Sequence, residues 1–310
     1  VSVTPIYPAY VPSYATRESY ITVDEFLAAP TGTDTTQLLP GQNAAANRDA
    51  LAGVIQRASS EADVFCQQVL AATQDVQMAP PQGWRIQLRS GLQTIWVPVD
   101  NTPVIAVTGA TVGWDPTSVT ALTDLTGVWI GRKVITVPVT GITGVPPGAT
   151  PGIYPSWPGG GGRIWGYVNY VNGFFNATLS ADVAAGATSV TPSDVLGLYP
   201  GLQFVIYDSL FAHSETVTVA SNYTPGDATV PLVSALTWPH NSGTAVSALP
   251  PAVRQAVISL TASLIKRRGG ESLVLASITE EPSRKTIGES GMSADERHAY
   301  DLLTPFKRVR

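Results

Sequence analysis

Three histidines (His213, His240, His298) and one cysteine (Cys66) are the residues of this chain best suited to bind metal or act as nucleophiles. His213 and Glu215 stand two apart, so on a strand they share one face and offer two metal ligands. Zinc wants three or four such ligands, and no second His or Cys stands at ligand spacing, so the pair reads as solvent-facing or as part of a turn. His240 reads as a turn or packing residue. Gly159–Gly162 followed by Arg163 suggests a phosphate cradle, but a P-loop needs GxxxxGK[ST] leading into a helix, and neither the Lys nor the helix is there. Ser272 and Ser290 each follow Gly-Glu without the closing Gly of a nucleophile elbow. We therefore expect no catalytic residues, no cofactor and no metal.

The remaining side chains of interest suit contact rather than catalysis. Tyr7, Tyr10, Tyr14 and Tyr20 line a Pro- and Ser-rich segment, residues 1–20. Their amphipathic rings suit an extended arm that docks on a neighbouring subunit. Phe306, Lys307, Arg308, Val309 and Arg310 form a basic tail that could dock on an acidic partner surface. Lys266, Arg267 and Arg268 read as a cap on a helix C-terminus. Seven tryptophans are assigned mainly to cores and interfaces.

Composition narrows the function further. Charged residues make up only 13% of the 310 residues, against a usual ~25%, so polar uncharged side chains or neighbouring subunits must cover the surface. Residues 1–250 hold 8 Lys/Arg and 16 Asp/Glu, whereas residues 251–310 hold 10 and 7. Between Lys133 and Arg254 the only basic residue is Arg163. Gripping nucleic acid takes clustered cations, so the middle of the chain would repel DNA or let it slide. A single cysteine excludes an intrachain disulfide, and Cys66 falls on an apolar helix face, where packing is the simpler role. No run of 18 apolar residues predicts a membrane span, and residues 1–20 lack the pattern of a signal peptide.

Helical signals flank a β-rich middle. Thr22-Val-Asp-Glu25 has capping-box spacing and opens a short helix to about residue 29. Over residues 43–72, Leu51, Val54, Ile55, Ala58, Ala62, Phe65, Cys66, Val69 and Leu70 recur at three- and four-residue steps. Pro250 and Pro251 open a helix over about 251–268, with Gly269-Gly270 as its stop. Ser293-Ala-Asp-Glu296 is a second capping box, opening a last helix closed by Pro305. Residues 271–291 read as a loop. From Gln74 to Val246 apolar and polar residues alternate, with strands expected at 84–88, 94–99, 104–112, 128–137, 166–171, 204–207, 215–220 and 229–232. Residues 138–162 read as a Pro/Gly linker or exposed loop.

This order predicts an α+β protein: a helical bundle formed by the N- and C-terminal segments, interrupted by a large β-rich insertion with sandwich- or barrel-like modules. The expected divisions are an arm (1–20), a first helical part (21–75), a β-rich insertion (76–176), a small β module (177–248) and a second helical part with its tail (249–310).

Tyr20-Ile-Thr-Val-Asp-Glu-Phe-Leu with the long helix, Leu249-Pro-Pro-Ala-Val-Arg-Gln-Ala-Val with Arg267-Arg-Gly-Gly, and Ala299-Tyr-Asp-Leu-Leu-Thr-Pro-Phe-Lys-Arg together resemble the head–tail connector family of long-tailed bacteriophages. Ile95-Trp-Val-Pro-Val-Asp-Asn-Thr-Pro-Val resembles the strand pair that often follows that family's second helix. Residues 177–246 are similar to a small β module of phage structural proteins. The resemblance covers about half of the chain. It implies a non-enzymatic subunit of the virion neck, assembled in the host cytoplasm into a homo-oligomeric ring of about twelve copies. It also implies contacts with the portal protein and a head-completion, tail-terminator or other tail protein. Double-stranded DNA would pass through the lumen without specific binding, and no membrane is involved. Residues 306–310 would face the portal. The rivals are another tail or baseplate structural protein, and a secreted glycan-binding or hydrolytic β-protein.

Overall fold

The computed structural model describes residues 18–36, 38–78, 87–89, 92–115, 118–138, 165–278 and 293–308. Tyr7, Tyr10, Tyr14, Gly159–Gly162, Arg163, Ser290, Val309 and Arg310 lie outside them, as do most of the expected linker and most of the expected 271–291 loop.

The architecture is mixed α and β, with small antiparallel sheets. Two helices come first, α1 (Val23–Ala28) and α2 (Ala44–Cys66). Eight strands follow: β1 (Thr73–Met78), β2 (Gln87–Arg89), β3 (Leu92–Pro98), β4 (Val104–Asp115), β5 (Ser118–Ala121), β6 (Trp129–Ile130), β7 (Val134–Pro138) and β8 (Trp165–Asn172). A further six are β9 (Asn176–Thr178), β10 (Ser189–Val190), β11 (Gln203–Tyr207), β12 (Glu215–Thr218), β13 (Val230–Pro231) and β14 (Ala245–Ser247). Helices α3 (Pro251–Ile278) and α4 (Ala294–Leu303) close the chain. No helix among the described residues is long and apolar enough to cross a membrane.

The chain divides into two compact units. The first comprises the described part of Ala72–Gly173. Its sheets have the orders β1-β8-β4-β5 and β2-β3-β7-β6. One apolar cluster draws Val97, Ile135 and Val137 from the second sheet and Ala110, Val168 and Tyr170 from the first. The expected strand 128–137 is a hairpin instead, β6 and β7 joined through Gly131. The Gly131 amide donates to the Val134 carbonyl, and a Cβ there would come within 2.9 Å of the Trp129 ring. Only glycine allows the ring to lie so close.

The second unit joins residues 18–71 to 174–308 where they are described. Phe26 of α1, Leu51, Val54, Ile55, Ala58 and Ala62 of α2, Val253, Ala256, Val257 and Leu260 of α3, and Ala299 and Leu303 of α4 form one buried cluster. The two ends of the chain thus share a core. Each Val or Leu buried there contributes about 1.5–3 kcal/mol, which α2 alone could not realise. A second cluster fills the β9–β14 region, whose main sheet has the order β12-β11-β14-β9. Along β11, Phe204 and Ile206 enter that cluster. Val205 and Tyr207 point to the opposite face, as the two-residue period of a strand requires.

Two helix ends differ from the sequence-based expectation. Helix α2 stops at Cys66, where Gln67 turns left-handed (φ 56°) and the Gln68 amide donates to the Asp63 carbonyl. Val69 and Leu70 therefore contribute to the core without being helical. The turn lets the Leu70 amide reach the Asp63 carboxylate at 3.0 Å. Helix α3 runs through Gly269-Gly270 to Ile278, because glycine weakens a helix by about 1 kcal/mol without forbidding it. Replacing both glycines with Ala should therefore stabilise the second unit by about 1 kcal/mol per site, within a factor of two. A drop in the thermal midpoint would instead identify them as a left-handed stop.

Candidate functional site

The polar centre of the second unit is built where α1, α3 and the end of β11 converge. Thr22 caps α1, its hydroxyl accepting from the Glu25 amide at 3.2 Å. The box is left half-closed, because the Glu25 carboxylate turns away to Arg254. Arg254 sits in the first turn of α3, whose start is set by Pro251 and whose Val253 and Arg254 amides donate to the Pro250 carbonyl. Its guanidinium grips Glu25 in two-point fashion, Nε to Oε1 at 3.0 Å and Nη2 to Oε2. It also lies 3.8 Å above the centre of the Tyr207 ring. Arg254 is 3% exposed, and its Nη1 is buried without a hydrogen-bond partner among the described residues. Beside this group lies a cavity of about 340 Å³. Glu25, Ala28, Ala29 and Pro30 wall one side, Tyr207, Asp208 and Ser214 another, and Pro251, Arg254, Gln255 and Ile258 a third.

Asp208 leads from this cavity to a second buried polar cluster. The His240 side chain is fully enclosed, with Nδ1 3.2 Å from Asp208 Oδ2 and Nε2 2.9 Å from Glu215 Oε1. Burial opposes ionisation of Asp208, yet hydrogen bonds from the Leu210 amide, His240 and Ser209 outweigh it and hold the carboxyl below its ordinary range. Glu215 is likewise disfavoured by burial. The Thr237 amide, His240 and the Trp238 amide reverse that effect, and its carboxyl is also held low. Among the described residues no three or more His, Cys, Asp or Glu are grouped to hold a metal. Here both imidazole nitrogens already face carboxylates.

The structure redistributes the residues singled out from the sequence. His213 and Glu215 do not act as a pair: His213 closes a 3-10 turn, Phe211–His213, and stacks on Trp238 with ring centroids 4.3 Å apart. Glu215 opens β12 and turns to His240 instead. Tyr20 is not part of a contact arm. It is 2% exposed, its hydroxyl donates to Asp63, and it accepts from the Leu70 and Ala71 amides at 3.1 Å each. A phenol meeting three partners in its own core has nothing left for a neighbour. Cys66 is buried, its thiol pushed up to about 12 chiefly by burial.

The first basic cluster changes role, and the described part of the second packs against its own unit. Helix α3 continues past Arg268, so Lys266 and Arg267 cannot cap its end. They pair with Asp295 and Glu296 at the start of α4, Lys266 at 2.6 Å. Phe306–Arg308 does not trail off. The Arg308 amide donates to the Cys66 carbonyl at 2.8 Å, meeting one of the acceptors left open at the end of α2. Gln68 Nε2 donates to the Phe306 carbonyl, Phe306 packs edge-on against Phe174, and Lys307 lies over the Phe65 ring. Ser272 falls within α3, on a helix rather than at a strand-to-helix turn. The Glu25–Arg254 pair and the Asp208–His240–Glu215 cluster went unseen in the sequence. The one available signal was Glu25 itself, a capping-box residue facing an Arg in the first turn of another helix.

No family model matches this sequence, and no curated protein matches it.

Proposed function

We propose that this chain is a structural subunit of a tailed-bacteriophage virion, a head–tail adaptor that forms a ring at the neck and contacts the portal. In this reading α1–α4 are the bundle that builds the ring. The β strands are sandwich- or barrel-like decorations facing neighbouring components. The observation that carries it is the single core shared by the two chain ends, the packing that the order of connector-like segments requires. The low charge supports it as well, since so uncharged a surface suits coverage by copies. Large apolar side chains left exposed on the second unit point the same way: Val64 at 73%, Val233 at 65%, Leu210 at 60% and Leu27 at 50%. A cyclic ring would cover them through head-to-tail contacts. A channel wall with few cations lets DNA pass without counterion-releasing grip.

Light scattering and electron microscopy of the purified full chain test the proposal, with and without portal protein. Closed rings of about a dozen copies are the expected result. A strict monomer at high concentration under both conditions would overturn the reading.

A further inference from the structure

The polar groups around the cavity beside Arg254 restrict what can enter it. Two carboxylates, Glu25 and Asp208, and one guanidinium, Arg254, line it, so its walls carry a net negative charge. A phosphate or carboxylate ligand would bring like charge to two carboxylates. An ammonium would meet the guanidinium. Yet Arg254 Nη1 lacks a hydrogen-bond partner among the described residues, and a buried donor left unmet is costly. Most of the remaining wall is apolar, including Ala28, Ala29, Pro30, Pro251 and Ile258. The matching group is neutral, flat and apolar along its body, with a hydroxyl tip that accepts from a guanidinium and donates to a carboxylate. Among side chains that is the phenol of tyrosine. Tyr20 shows the same chemistry inside this unit, its hydroxyl set between the Asp63 carboxylate and two amide donors.

We propose that the cavity receives Tyr7, Tyr10 or Tyr14 from residues 1–17 of a second copy of this chain. The inference rests on the adaptor-ring reading and names one of its subunit contacts. Arg17 is the only charged side chain of that segment, opposite in sign to the cavity. The segment's root is fixed, because Glu18 accepts from Thr178 Oγ1 at 3.1 Å and also bonds Ser193. From there the eleven residues back to Tyr7 can span up to about 36–40 Å when fully extended. The elements that wall the cavity also carry exposed apolar side chains. Leu27 adjoins Ala28, and Leu210 lies between Asp208 and Ser214. A copy arriving with its arm would cover both.

Cysteine pairing in the full chain tests this. Gln255, exposed on the cavity wall, is changed to Cys in one form. In the other, isotopically labelled, Cys replaces Ile6, Ala9 or Ser13, next to each tyrosine in turn. Cys66 stays out of the reaction because it is buried with its thiol pushed up. Mixed and oxidised, the two forms should give a labelled-to-unlabelled disulfide at one of the three positions. Tyr→Phe beside that position should weaken ring assembly about tenfold or more, as loss of a hydrogen bond to a charged group does. Rings without a cross-link at any position overturn the docking site and leave the adaptor reading standing. So does a link that forms only within one chain when both cysteines are placed in it. Strict monomers overturn both.

Discussion

Replacing Arg254 with Met is expected to lower the stability of the second unit by about 3–5 kcal/mol. Arg254 and Glu25 are both largely enclosed, with side chains 3% and 16% exposed. Truncating one partner leaves the other charge in a poorly hydrated place, which costs far more than the pair contributes as a pair. The Tyr207 ring loses the cation above it as well, a further contribution of about 0.5–2 kcal/mol that falls within the same total. Arg254 joins three elements: it holds α1 through Glu25, the β9–β14 sheet through Tyr207, and stands itself on α3. Its loss should therefore broaden or split the unfolding transition as well as shift it. The companion variant with both Arg254→Met and Glu25→Leu should recover most of the loss, because no lone charge remains. Urea denaturation followed by far-ultraviolet circular dichroism reads both effects. A loss under about 1 kcal/mol for the single variant would mean that the pair behaves as a hydrated surface bridge.

His240→Ala should cost about 3 kcal/mol at neutral pH, and the size of the loss should depend on pH. The imidazole is the shared partner of two carboxylates, Asp208 at 3.2 Å and Glu215 at 2.9 Å. Each carboxylate keeps amide donors of its own, Leu210 for the first and Thr237 and Trp238 for the second, which limits the damage. The sign of the pH effect follows from the lowered carboxyl pKa values. A carboxyl whose pKa is lower folded than unfolded contributes stability that is complete above the ordinary value of about 4. That contribution is lost as pH falls through the folded value. Without His240 both folded values rise toward the unfolded ones, so less stability remains to be lost in acid. The gap between the original protein and the variant should therefore be widest near pH 7 and narrow toward pH 3. Denaturation at the two pH values measures it. An equal gap at both would show that His240 acts by filling space and not through the carboxylates. His213→Ala makes a useful control, since it removes a ring stacked on a 40%-exposed tryptophan and touches neither carboxylate.

The helices show which signals are local. The stripe from Leu51 to Ala62 and the box at Ser293 and Glu296 each act within a few residues, and the helices they announce are present. Strand alternation at 204–207 and 166–171 is equally local, and β11 and β8 lie there. Local signals failed in two ways, one by being too weak and one by meeting a long-range competitor. Gly269-Gly270 looks like a stop in isolation, but no left-handed cap forms there and the helix runs on. Tyr20 looks like the last tyrosine of an arm, yet Asp63, 43 residues away, and the amides of Leu70 and Ala71 draw it into the core.

What the residue pattern determines alone is which segments coil, which extend and which face of each is apolar, because backbone geometry repeats every 3.6 or 2 residues and leaves its period in the sequence. Only the tertiary structure decides which polar groups meet. Glu25 and Arg254 are 229 residues apart, and His240 lies 32 and 25 residues from its two carboxylates. No period links such positions. They are brought together because the apolar faces around them can be buried in only one mutual arrangement, and the charges must find their partners within it.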